Sequence, residues 1–131
     1  MMSGKGQGKV KPCQGVRKKR GRKMLLRPSI LVMLLEEPSH GYQLAERLIN
    51  RGIIPDHLDS SVIYRELREL DQRGWIDSHW DENSKGPRRR VYQINQQGRN
   101  CLKEWITALE RVEENITSLL GRYRDLTANQ G

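Results

Sequence analysis

Apolar residues recur along this chain at spacings that change character twice. Ile30, Leu31, Leu34 and Leu35 fall at helical intervals and predict a first helix from about Met24 to Glu37, with Pro28 in its first turn and Pro38 as its stop. Leu44 and Leu48 give a second helix, His40 to Asn50, with Ser39 as its cap and Gly52 as its C-terminal signal. A turn containing Pro55 leads to Asp59, Ser60 and Ser61, which offer N-cap oxygens to a third helix ending at Gly74. At 100° per residue, Ile63, Leu67 and Leu70 of that helix lie within about 60° of each other and face inward. Ser61, Arg65, Arg68 and Gln72 take the opposite side, with Tyr64 on the flank.

The period then shortens to two. Ile76, Ser78 and Trp80 share one face of a strand over about 75–81, and Tyr92 and Ile94 share one face of a second over about 89–94. Asn83 to Pro87 between them is turn chemistry. Two strands about a basic tip, Lys85-Gly86-Pro87-Arg88-Arg89-Arg90, make a hairpin. Four like charges at one tip repel unless an anion is near, and a phosphate backbone supplies one.

Asn95 caps the last helix. Leu102, Trp105, Leu109, Val112, Ile116, Leu119, Tyr123 and Leu126 follow at intervals of 3,4,3,4,3,4,3. That is the 3.5-residue repeat of a coiled-coil seam. Packing against the first helix could cover the first turns of so long a seam but not all eight positions. The expected partner for the rest is a second copy of the chain.

These elements predict a mainly α fold with a small two-stranded β-hairpin: a winged helix-turn-helix over residues 25–95, then a long C-terminal dimerisation helix over 96–131. Residues 1–24 are Gly- and Lys-rich without periodicity and read as a disordered basic tail. At 131 residues the chain has room for one domain and such appendages.

Charge sharpens this reading. The net charge is +8 and the pI about 9.9, yet nine of the 24 basic residues lie in residues 1–23, which hold no acid. The other 15 face 16 acids, a net of −1. The basicity therefore belongs to the tail, and the folded part must act through a few placed residues. The tail reads as an arm for phosphate or minor groove, or as a solvated aid to solubility.

Much chemistry finds no residues to rest on. His40, His57 and His79 sit in different segments without acids at ligand spacing, so no metal or cofactor is expected. No phosphate-binding loop, dinucleotide fingerprint or nucleophile elbow occurs, so no catalytic residue is assigned and an enzyme is not expected. Cys13 and Cys101 lie far apart and are expected as free thiols in a reducing cytoplasm. No apolar run approaches the roughly 20 residues of a membrane span. The basic N-terminus lacks the apolar segment of a secretory signal.

Three ordered stretches, ILVMLLEEPSHGYQLAERL, SSVIYRELRELDQRGWI and the Gly-Pro-Arg-Arg wing followed by VYQINQQGRNCL, resemble the PadR family of transcriptional regulators. The resemblance covers about residues 26–126. It implies a dimeric winged-helix regulator, usually a repressor, on an inverted-repeat operator in double-stranded DNA, of the subgroup with one C-terminal helix. By the match Ser60, Ser61, Tyr64 and Arg65 approach the major groove, Tyr42 lies near the DNA backbone, and Arg88, Arg89 and Arg90 form the wing. Asn95 stands where the family has threonine, and both cap helices. The basic tail lies outside the shared core. Some members sense planar compounds with an aromatic residue on the last helix, which gives Trp105 a possible small aromatic effector beside its place in the seam.

The expected function is therefore a homodimeric, sequence-specific DNA-binding regulator, cytoplasmic and on the nucleoid when bound. Its DNA contacts are Tyr42, Ser60, Ser61, Tyr64, Arg65, Arg68, Lys85 and Arg88–Arg90. A nonspecific or architectural nucleic-acid protein driven by the tail is the alternative. A protein-binding winged helix is a third reading.

Overall fold

Helical packing sets the frame, and the computed structural model describes it over residues 21–52, 60–83 and 85–129, with side chains from Leu25 onward. The elements run α1 (Gly21–Glu36), β1 (Ser39–His40), α2 (Gly41–Asn50), α3 (Ser61–Gln72), β2 (Ile76–Trp80), β3 (Arg90–Ile94) and α4 (Gln96–Ala128). Residues 1–20 of the basic tail, the Pro55 turn with Asp59, and His57 lie outside the described residues, while residues 21–24, expected as part of that disordered tail, are helical as the start of α1.

One core joins all the helices. Ile30 and Leu31 of α1, Leu44 and Leu48 of α2, and Ile63, Leu67 and Leu70 of α3 are wholly buried together. The 3.6-residue period of α3 puts Ile63, Leu67 and Leu70 on one stripe, with Val62 partly buried beside them, and no other residue of that helix is fully buried. α1 departs from expectation in two ways. It begins at Gly21, so Pro28 stands two turns inside it rather than in its first turn. Burial of Leu26 and Arg27 just before the proline holds the helix on through the missing N–H. Leu35, expected inward, is exposed, because the buried stripe of α1 is already filled by Leu31 and Leu34.

The sheet has three antiparallel strands in the order β1-β3-β2, one more than expected. Ser39 pairs with Tyr92 and His40 with Val91. Ser39 is thereby drawn into a strand, and His40 takes the N-cap position of α2 instead. Its backbone N–H donates to Gln43 Oε1 at 2.8 Å. The β2–β3 register, Ile76 opposite Ile94 through Trp80 opposite Arg90, puts Ile76, Ser78 and Trp80 on one face with Tyr92 and Ile94, as the alternation predicts.

Asn95 fastens the start of α4. Its side chain accepts from the Gly98 N–H at 2.9 Å and donates to the Gly74 carbonyl at 3.0 Å. Gly98 is required here: a Cβ would stand 2.1 Å from the Trp75 carbonyl oxygen. The helix start is thus pressed onto the chain leaving α3. Leu102 and Trp105 then continue the core, while Leu109 packs on its margin.

Candidate nucleic-acid interface

The outward face of α3 is decided by what its acids do. Glu66 is engaged by Arg27 Nε of α1, and Glu69 lies 3.6 Å from Arg73 Nε one turn on. An ordinary solvated helix face would pair these glutamates with Arg65 or Arg68. Here both acids are turned elsewhere, and Arg65 and Arg68 are exposed with no ion pair among the described residues. Ser60 and Ser61 are exposed at the helix start beside them. Ser60 occupies the N-cap, although its side chain makes no capping bond. The first turn of α3 carries no acid, so the positive end of the helix dipole adds to the same face.

Tyr64 is not free on the flank. Its ring lies across Gly41 at the start of α2 and keeps 37% of its surface exposed. The neighbouring Tyr42 is exposed as well, with its ring parallel to that of His40 at 5.5 Å and 18°.

The wing is mounted on two aromatic rings. Trp80 and Arg90 stand opposite each other in the β2–β3 ladder. The Arg90 guanidinium sits 4.7 Å from the centre of the Trp80 ring, and that of Arg88 sits 5.3 Å from it. Arg89 faces the other way. It lies 4.8 Å over the Tyr42 ring and donates to the Tyr42 hydroxyl at 3.0 Å. Cation–π contacts of this kind hold a guanidinium without neutralising it. Arg88 is also 3.7 Å from Glu82, an exposed pair of little strength. Arg90 donates to Ser78 Oγ at 2.7 Å, and Ser78 Oγ donates to Asp71 at the end of α3 at 3.3 Å. Lys85 is exposed at the tip, and Gly86 takes the positive φ of 86° that the turn requires.

Asp81 closes the base of the wing. One carboxylate oxygen accepts from the Asn83 N–H at 3.0 Å and the other meets His40 Nε2 at 3.0 Å. These two bonds, the Asn83 amide first, hold the Asp81 carboxyl below its usual value near 3.8. On the inner face burial pushes the Tyr92 phenol above its usual 10.0, against the lowering influence of Arg90, so it stays a neutral hydroxyl.

All ten sequence-predicted DNA contacts fall among the described residues and are exposed. The structure joins Tyr42 to Arg89 and sets Arg65 and Arg68 on one side of α3. Sequence reasoning passed over Trp80, His40, Asp81, Gly41 and Arg27. Only Trp80 carried a usable signal: in a hairpin closed by residues 81–89, position 80 must face position 90.

The seam of α4 divides in two. Trp105, 1% exposed, and Leu102 are spent on the chain's own core. Leu109 and Val112 are half-buried. Ile116, Leu119, Tyr123 and Leu126 are exposed, Leu119 by 69%. Cys101, on the core side of the same helix, is not a free thiol but is disulfide-bonded. For Cys101 this corrects the expectation of a free thiol. Cys13 lies outside the described residues.

Comparison with known proteins agrees with this geometry. The model of the transcriptional regulator PadR-like family matches residues 30–104. A solved protein of unknown function, described as a potential transcriptional factor, shares the fold at a TM-score of 0.72 and 37% identity, over 82% of this chain and 95% of its own. A PadR family transcriptional regulator from Eggerthella lenta is similar at 0.67 and 28%, over 76% of this chain and 84% of its own. A probable transcriptional regulator of Mycobacterium tuberculosis is 36% identical over 87 residues, which are 63% of this chain but 44% of that protein.

Proposed function

The chain belongs to the PadR-like family of transcriptional regulators, and from that premise we propose that it acts as a homodimer on an inverted-repeat operator in double-stranded DNA, as a repressor. Each subunit lays α3 in a major groove, with Ser60, Ser61, Arg65 and Arg68 toward the bases. Arg88–Arg90 and Lys85 of the wing, and Tyr42 behind it, lie on phosphate. Half-sites are then about 34–36 Å apart, one helical turn. The exposed half of the α4 seam joins the two subunits. The site of action is nucleoid DNA in the cytoplasm.

The observation that carries this reading is the engagement of Glu66 by Arg27 and of Glu69 by Arg73. It leaves two unneutralised arginines on the groove-sized face of a helix, beside a wing whose three arginines are held on aromatic rings, with only Arg88 near an acid, the exposed Glu82. Effector sensing through Trp105 has less room: the indole is 1% exposed, so a flat compound reaches it only by opening the core.

Selection of bound sequences from a random DNA pool tests the proposal, and a palindromic consensus is the expected result. Recovery of unselected sequence, with steep salt dependence, would instead favour nonspecific binding by the nine basic residues of 1–23. Deleting that segment should flatten the salt dependence more than it changes the consensus.

A further inference from the structure

Three consecutive residues each hold a different part of the proposed DNA-binding surface. His40 Nε2 meets Asp81 at the first residue of the wing loop, 3.0 Å away. Tyr42 receives Arg89 from the end of the same loop, by a 3.0 Å hydrogen bond and a guanidinium over its ring. Gly41, between them, receives Tyr64 of α3. A Cβ on Gly41 would lie 2.5 Å from Tyr64 Cε1 and 3.2 Å from both Cδ1 and Cζ, so the ring lies flat where a side chain would be. We infer that His40-Gly41-Tyr42 is the joint that sets the angle and rotation of the recognition helix relative to the wing, with Gly41 as its positioning residue.

The physical case rests on Gly41. Its φ is not in the left-handed region, so the backbone does not require glycine. As the first residue of α2 it stands where the backbone accepts other residues as well, so what distinguishes glycine here is the space it leaves. Tyr64 stands three residues after Ser61, one before Arg65 and four before Arg68, so it forms the edge of the face that carries all three. The inner stripe of Ile63, Leu67 and Leu70 fixes how deep α3 sits. The two edges fix its rotation: Glu66 through Arg27 on one side, and Tyr64 through Gly41 on the other. A methyl group at position 41 must move the ring, and with it the direction in which Arg65 and Arg68 point. Because His40 and Tyr42 hold the wing at the same place, the shift also changes the spacing between groove and phosphate contacts.

This inference rests on the DNA-binding reading, and its test separates the two. The full chain is compared with Gly41→Ala, Tyr64→Ala and the double variant, by thermal melting and by binding to two duplexes of equal length, one bearing the selected consensus and one of random sequence. Gly41→Ala should lower the melting temperature in the native background and leave it unchanged in the Tyr64→Ala background, where the ring is gone. It should also lower consensus-over-random discrimination roughly tenfold or more while leaving the salt slope as it was, since no phosphate contact is removed. If Gly41→Ala alone fails to fold, the double variant should fold. Equal melting costs in both backgrounds, or an unfolded double variant, overturns the assigned contact. Coupled melting with unchanged discrimination overturns the positioning role and leaves a packing contact only. Absence of any discrimination in the native chain counts against the DNA-binding reading instead, and the melting cycle still decides the contact.

Discussion

The α3–wing surface and the distal half of α4 are both exposed, but they are finished to different degrees. Around α3 nearly every charged or aromatic side chain has a neighbour that fixes it: Glu66 with Arg27, Tyr64 on Gly41, Arg89 on Tyr42, Arg88 and Arg90 on Trp80. Arg65 and Arg68 reach outward from a rigid mount with no ion pair among the described residues. Beyond Val112, α4 offers the reverse, apolar side chains left largely exposed. Polar groups held in place and left uncovered suit a partner met from water. Bare apolar residues on a seam suit a partner that stays. On the proposed function, one chain carries a reading head for DNA and half of a handle for a second copy.

The contrast can be broken from either side. The largest effect should come where the handle enters the core. Trp105→Ala empties a wholly buried site and should cost about 3–5 kcal/mol of stability, read from urea unfolding. A cost below 1 kcal/mol would place the boundary between core and seam earlier along α4. Leu119→Glu with Tyr123→Glu touches only the exposed half. Sedimentation should then find a monomer with native helix content, bound to its operator roughly a hundredfold more weakly through lost avidity. Arg65→Ala, on the reading head, should reduce operator-over-random discrimination by about 1–3 kcal/mol and leave assembly intact. Equal losses on both duplexes would make Arg65 a phosphate contact.

The smallest effect concerns the base of the wing. Folding favours the carboxylate form of Asp81, because the Asn83 amide and the His40 ring hold its pKa below 3.8. The contribution is present above that value and disappears as pH falls through the lower folded-state value. Asp81→Asn should therefore be less stable than the native chain at pH 5 to 7, and the gap should shrink as pH falls below 3.8 and close once pH passes the lower folded-state value. A gap that does not shrink in acid would point to another cause.

Much of this contrast was legible in the sequence, and the remainder has a common reason for being hidden. Period 3.6 marked Ile63, Leu67 and Leu70, period 2 marked the hairpin, and period 3.5 marked the seam. Each is a repeat within one element. β1 escaped because two residues cannot show a period, and Leu35 because helical spacing says nothing of how wide the covered stripe is. The arginines proposed to face DNA were visible by type and position. Their mounts were not: Arg27 reaches Glu66 across 39 positions, His40 reaches Asp81 across 41 and Arg89 reaches Tyr42 across 47. Such pairs exist only after the helices have packed. The seam showed its length in the sequence but not where the chain's own core stops using it.

Binding to a full palindrome and to a single half-site, measured side by side, tests the reading-head-and-handle account most directly. The native chain should prefer the full site by roughly a hundredfold or more, and the Leu119→Glu/Tyr123→Glu variant should bind both alike. A native chain that binds the half-site as tightly as the full palindrome would contradict it.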